Sequence, residues 1–189
     1  MILKMHYKFA LVVMLLSLQA CSATRQTVRH EQLPFTLQNV REDVRVSFPA
    51  VEQLSTAALA SRLANHESLV LLDIREPREY AVSHLPGAVR VDPEANERSI
   101  TAASDLSNKT VVFYCSVGVR SSKLAQKLQP ELLRQGASAV FNLDGGIFAW
   151  HNEERPLQDS SGATDFVHPF DQKYGSLLRR QSLVRFQTR

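Results

Sequence analysis

The sequence predicts an α/β fold built on a parallel, doubly wound sheet. Leu69–Ile74 (LVLLDI) and Thr110–Tyr114 (TVVFY) are unbroken runs of branched and aromatic residues, as expected of strands covered on both faces. Segments with apolar residues at helical spacing separate such runs, so strands and helices alternate. With 189 residues, 44% of them hydrophobic, the chain can bury one sizeable core.

In chain order, Lys4 and Lys8 form a basic opening, and Phe9–Leu18 is a ten-residue apolar stretch. That stretch is too short to span a bilayer comfortably but suits a secretory signal over residues 1–20. Leu18-Gln19-Ala20-Cys21 then resembles the lipobox of bacterial lipoproteins. The resemblance implies that Cys21 is lipidated and becomes the first mature residue. Ser22, where an aspartate would direct retention at the inner membrane, implies the outer membrane, with the protein facing the periplasm. The other reading is ordinary signal cleavage. Removing residues 1–20, which hold two lysines and no acid, takes the formal charge from +3 to +1. The whole-chain pI near 9.0 therefore gives no case for nucleic acid as a partner.

Residues 21–47 are polar and mixed and read as a tether, with a short packed piece at Leu33–Leu37. The domain is expected over 48–157. Val51–Leu54 reads as a short strand, Ser55 as an N-cap, and Thr56–Asn65 as a helix with Leu59 and Leu63 on one face. After the strand Leu69–Ile74, Pro77 opens a helix running to about Ser83. Leu85-Pro86-Gly87-Ala88 is a turn, and Val89–Val91 a third strand. Asp92–Asn108 is a polar connection with one helical turn. Thr110–Tyr114 is the fourth strand, followed by a loop, Cys115–Arg120, and a helix from Ser121. Pro130 should end that helix at Gln129 and start a short second one. Ala139–Leu143 is the fifth strand, and Gly145-Gly146 turns into a helix at Ile147–Asn152. Asp159–Thr164 is a polar break. Residues 158–189 form a C-terminal extension whose Phe166, Val167, Phe170, Tyr174, Leu177 and Leu178 can fold back on the domain. Arg179–Arg189, with four arginines and no acid, reads as a solvated end; the other reading is a patch facing anionic lipid.

The candidate nucleophile is Cys115. It stands where a central strand hands over to a helix, the end at which open α/β sheets bind ligands. The N–H groups and dipole of a helix start favour an anion there, and a thiolate is the reactive form of cysteine. By position, Ser116, Val117, Gly118, Val119 and Arg120 supply inward amides, Gly118 permits a tight turn, and Arg120 adds a cation at the rim. The other cysteine is Cys21; if it carries lipid, Cys115 has no disulfide partner. No metal-ligand cluster is present in the sequence, and no metal or cofactor is expected.

Four stretches in order, Asp73-Ile-Arg-Glu-Pro-Arg-Glu79-Tyr80, Ser83-His84-Leu85-Pro86-Gly87-Ala88, Cys115-Ser-Val-Gly118-Val-Arg120-Ser121 and Leu143-Asp-Gly-Gly146-Ile-Phe-Ala-Trp150, resemble the signatures of a single rhodanese domain. The match runs from about Phe48 to Trp150. It implies a rhodanese-like five-stranded parallel sheet flanked by helices, with the active loop after the fourth strand. It also implies sulfurtransferase chemistry. The Cys115 thiolate takes a sulfane sulfur from a donor such as thiosulfate, holds it as a persulfide, and passes it to an acceptor such as cyanide or a thiol. Asp73 and Arg75 become supports of the loop; from the residues alone, a surface ion pair with a helix cap serves as well. Glu79 reads as a salt bridge, His84 as a turn contact and Trp150 as packing, while His151 and His168 have no assigned role. Two departures stand out. The segment between the loop and Gly145 is about one helical turn longer than usual. The loop interior lacks the extra basic residue of some thiosulfate-using members. A cysteine phosphatase, which also sets Cys and Arg around an anion-cradling loop, and a non-catalytic binding module of the same fold stay open as alternatives.

Overall fold

The computed structural model describes residues 34–188, so the expected signal segment, the lipobox and Cys21 lie outside the described residues. Five strands, β1 (Glu52–Leu54), β2 (Leu69–Asp73), β3 (Val89–Arg90), β4 (Thr110–Tyr114) and β5 (Ala139–Leu143), form one sheet in the order β1-β5-β4-β2-β3. Every pairing in it is parallel. The α/β, doubly wound, five-stranded sheet expected from the sequence is the one observed.

β4 lies at the centre and is buried along its whole length. Its side chains alternate between two cores. Val112 and Tyr114 join Leu59, Leu71, Leu143, Phe148 and Trp150 on one face. Val111 and Phe113 join Leu72, Ile74, Leu124, Leu128 and Val140 on the other. Each such side chain stabilises the fold by about 1.5–3 kcal/mol on burial, so β4 is the firmest platform available to the residue that follows it.

Helices cover both faces. α2 (Thr56–Ala64) is capped by Ser55, whose hydroxyl accepts from Ala58 N. α3 (Pro77–Val82) starts on Pro77 and carries a reciprocal capping box between Glu76 and Glu79. α4 (Glu97–Ala103) makes about two turns where one was expected, with Asn96 as its cap and Ile100 driven into the core.

Four sequence expectations are corrected. The tether does not extend to residue 47: Leu37–Ser47 is a helix, α1, capped by Thr36, with Val40 and Val44 buried. The helix after Cys115, α5, begins at Val119 rather than Ser121 and runs unbroken to Arg134 through Pro130. Leu124, Leu128 and Leu132 are all buried, so a continuous apolar stripe holds the helix across the proline. Gln126, whose carbonyl loses its donor to Pro130, stands on the exposed side, where water can replace it. The polar break at 159–164 is an antiparallel hairpin of β6 (Leu157–Asp159) and β7 (Gly162–Thr164). The basic end is not simply solvated. Val167 bridges Val184, a 3-10 turn forms at Gln181–Leu183, and Arg180 donates to the His151 carbonyl.

The C-terminal extension folds back, as its apolar residues suggested. Val167, Leu177 and Leu178 are buried in the same core as Trp150. α6 (Gly146–Asn152) lies beside it and ties to it through Asn152, which donates to the Leu177 carbonyl and accepts from Arg179 N. A last short helix, α7 (Gln172–Gly175), is capped by Asp171.

Candidate active site

Cys115 follows the last residue of β4 and is 1% exposed. The chain turns at once into α5 through Gly118, whose φ of +102° lies in the region that suits glycine. The turn brings the Gly118 N–H to 3.2 Å from Cys115 Sγ. Helical bonding in α5 begins with Ser122 N donating to Gly118 O. The amides of Val119, Arg120 and Ser121, at the first three helical positions, therefore have no donors' work inside the helix and stay available at its mouth.

The loop is held open from behind. Ile147 N and Phe148 N, at the start of α6, donate to the carbonyls of Cys115 and Ser116 at 2.9 and 3.0 Å. With those carbonyls tied to α6, the loop keeps the conformation in which Gly118 N–H meets the sulfur. Gly146 makes the approach possible: a Cβ there would lie 2.3 Å from Cys115 O and 2.7 Å from Ser116 O. The preceding Asp144 is gripped by α1, with Arg41 donating Nε and Nη2 at 2.9 and 2.6 Å and Arg45 adding a second ion pair.

Glu79 holds the other side. Its carboxylate receives both Nη atoms of Arg120 at 2.9 Å, the Ser116 hydroxyl at 3.0 Å and the Glu76 N–H at 2.9 Å. Burial alone would push this carboxyl up; the hydrogen bond and charge of Arg120 outweigh it and hold it below the usual range. Burial likewise opposes the charge on Arg120, yet Glu79 and Cys115 together raise its pKa. The sequence marks Glu79 as a salt bridge, which it is. Its grip on Ser116 and Arg120 is not visible there, although its place as the third residue of a Pro-started helix was a signal that its orientation is fixed.

Asp73 and Arg75 are both 0% exposed, so they do not form a surface pair. Arg75 donates Nε and Nη2 to Asp73, and Nη2 also reaches the Ser83 carbonyl at 2.6 Å. Burial would lower the Arg75 pKa, but Asp73 overrides it and raises it. The guanidinium lies 5.9 Å from the Tyr114 ring, and Tyr114 OH accepts from Leu85 N. Their hydrogen bonds run to each other and to the turn after α3; the side chain that reaches the loop is Glu79. His84 is a turn contact, stacked 3.8 Å from the Tyr80 ring, and Trp150 is buried with its Nε1 donating to Pro156 O.

Above the sulfur lies a cavity of about 100 Å³, lined by Cys115, Ser116, Val117, Val119, Arg120, Phe170 and Tyr174. The last two come from the C-terminal extension, and the sequence gives no sign of where they land. Phe170 covers the Arg120 guanidinium at 4.7 Å and meets Tyr174 edge-on at 5.5 Å. A buried thiol that accepts from the Gly118 N–H at the mouth of a helix, with an ion pair at its side, can form a covalent bond to an electrophilic sulfur and hold the anion that results.

A sequence model described as the rhodanese-like domain matches residues 55–153, just over half of the chain. YtwF of Bacillus subtilis is 35% identical over 107 residues, 56% of this chain and 96% of its own length. A protein of Allochromatium vinosum named a sulfurtransferase is 32% identical over 112 residues, 59% of this chain and 99% of its own. Among solved structures, the thiosulfate sulfurtransferase from Pseudomonas aeruginosa aligns with 65% of this chain and 23% of its own at 22% identity, with a TM-score of 0.50. The BH2092 protein from Bacillus halodurans aligns with 74% of this chain and 97% of its own at 21% identity, also with a TM-score of 0.50. These two likenesses concern the fold. α1 and everything after Glu153 lie outside the matched residues.

Proposed function

The chain belongs to the rhodanese-like domain family, and from that premise we propose that it is a sulfurtransferase that carries sulfane sulfur as a persulfide on Cys115. The observation that supports this most directly is the Gly118 N–H at 3.2 Å from Sγ, in a turn whose carbonyls are drawn away by α6. The thiolate attacks the outer sulfur of the donor. The donor's S–S bond breaks, and the leaving group departs with the electron pair, as sulfite from thiosulfate or as a thiol from a persulfide. An acceptor such as cyanide or a thiol then attacks the terminal sulfur and returns the thiolate. The amides of residues 116–120 stabilise the sulfur anion, and Glu79 orients Arg120 and Ser116 around it.

The test is intact mass of the protein after exposure to a sulfane-sulfur donor. One added sulfur is expected on the wild type and none on Cys115→Ser, which should remain folded and form no thiocyanate from cyanide. Sulfur transfer surviving in Cys115→Ser would place the chemistry elsewhere.

Lipid attachment at Cys21, with the domain facing the periplasm, belongs to the same proposal. It rests on Lys4, Lys8, Phe9–Leu18 and the lipobox-like residues before Cys21. Cys21→Ser should release the protein from the membrane fraction or stall its processing. Membrane retention of the variant, with no lipid label on the wild type, would remove this part.

A further inference from the structure

The cavity over Cys115 is completed by the C-terminal extension, which lies outside the matched family residues. Phe170 has φ +66°, a conformation that a bulky side chain rarely adopts, and it is held there by neighbours. Its N–H donates to His168 Nδ1 at 3.0 Å, and Asp171 N donates to the Pro169 carbonyl at 2.8 Å. Asp171 caps α7 through Tyr174 N at 2.7 Å, and Phe35 meets the Tyr174 ring edge-on at 5.3 Å. The two rings over the sulfur are thus fixed from several directions.

The charges under this roof limit what can enter. Among the described residues lining the cavity Arg120 is the only charged side chain, and both its Nη atoms are engaged by Glu79 while its face is covered by Phe170. With Cys115 ionised, Arg120, Glu79 and the thiolate carry a net charge of −1. The thiosulfate dianion would bring three sulfonate oxygens against Val117, Val119, Phe170 and Tyr174, while a further cation, Arg78, stands in the neighbouring cleft on which Phe170 also borders. The cavity is small, about 100 Å³, and favours a slim head group over a branched one. An organic hydropersulfide presents only two two-coordinate sulfurs to the cavity, with its organic group left at the mouth; it carries at most one negative charge against the two of thiosulfate, and divalent sulfur packs well against aromatic edges.

We propose that Phe170 and Tyr174 form a selectivity roof that makes the donor an organic hydropersulfide rather than thiosulfate. This rests on the sulfurtransferase reading above. In the step, Cys115–S⁻ attacks the outer sulfur of RS–SH. The RS–S bond breaks, the proton passes to the departing sulfur, and the products are RSH and Cys115–S–S⁻, with no oxidant or reductant consumed.

The experiment measures the rate of sulfur loading on Cys115, by intact mass of the full chain, with benzyl hydropersulfide and with thiosulfate. The wild type should favour the hydropersulfide by about a hundredfold or more. Phe170→Ala and Phe170→Lys should each cut that preference about tenfold or more, through faster loading by thiosulfate. Phe170→Leu, which keeps an apolar cover, should retain most of it. Equal loading of the wild type by both donors, or an unchanged preference in a folded Phe170→Ala protein, would overturn the roof while leaving the persulfide reading intact. Failure of Cys115 to load from either donor would instead overturn the sulfurtransferase reading.

Discussion

Two arginine–carboxylate pairs stand at the same end of the sheet, and they do different work. Asp73 and Arg75 are sealed, each 0% exposed, and their bonds end at the turn after α3. Glu79 and Arg120 are half open: the carboxylate is 1% exposed and the guanidinium 27%. The first pair is part of the frame. The second shares its carboxylate with Ser116 and its cation with the cavity, so its geometry is the geometry of the loop. Equal chemistry thus gives unequal roles, because solvent access decides whether a broken pair is a buried uncompensated charge or a displaced loop.

Breaking the sealed pair should have the largest effect. Asp73→Ala leaves Arg75 charged with no way out to water, and should destabilise the protein by about 3–5 kcal/mol in chemical denaturation. A loss under about 1 kcal/mol would mean that the two pairs are alike after all.

The open pair should respond in activity more than in stability. Arg120→Ala removes one charge but leaves the amides, and should slow sulfur loading roughly ten- to a hundredfold. Its denaturation midpoint should move less than that of Asp73→Ala. Glu79→Gln keeps the bulk and frees the Arg120 charge. Loading by thiosulfate should therefore gain on loading by a hydropersulfide, and an unchanged ratio would show that the Glu79 charge does not screen the donor.

Acid should loosen the open side first. Burial lowers the pKa of His168; Glu79 opposes that, while Arg78, Arg75 and Arg120 add to it. A depressed folded value means that the unfolded chain binds the proton more tightly. The stabilisation is therefore present above the unfolded value, about 6.5, and is lost as pH falls toward the folded one. Nδ1 already accepts from Phe170 N, so the incoming proton displaces the bond that positions the roof. Amide protection over residues 166–178, taken relative to the intrinsic exchange rate at each pH, should fall between about pH 7.5 and 5.5 more than protection in β4, and His168→Gln should flatten the difference. A uniform fall would detach His168 from the roof.

The smallest effect belongs to a pair on the surface. Arg62 and Glu67 are 33% and 43% exposed, and Arg62→Ala should cost about 0.5 kcal/mol or less in the same denaturation assay. A larger loss would show that exposure is not what separates the pairs.

The strands were legible because central parallel strands must be apolar on both faces, so LVLLDI and TVVFY announce themselves without any knowledge of partners. Cys115 was legible because its chemistry and its place after β4 lie in one short stretch. α1 was hidden: only Val40 and Val44 are buried along it, and its partner Asp144 lies about a hundred residues away. Glu79 and Phe170 were hidden for the same reason, since what they touch is decided by tertiary packing. Pro130 misled because a local rule about helices was outweighed by the buried stripe Leu124–Leu128–Leu132.

The clasp between α1 and Asp144 also says something about the order of assembly. Arg41 and Asp144 are 103 residues apart in the chain, while Ser116 and Glu79 are separated by 37. Closing the longer loop carries the greater entropic cost, so it follows contacts of shorter range. During synthesis α1 emerges early, yet its partner appears only after the whole sheet has been made. Until then α1 lacks the ion pairs that clasp it, and a chain stalled before residue 144 would hold the apolar face of Val40 and Val44 less firmly, open to the solvent or to a chaperone.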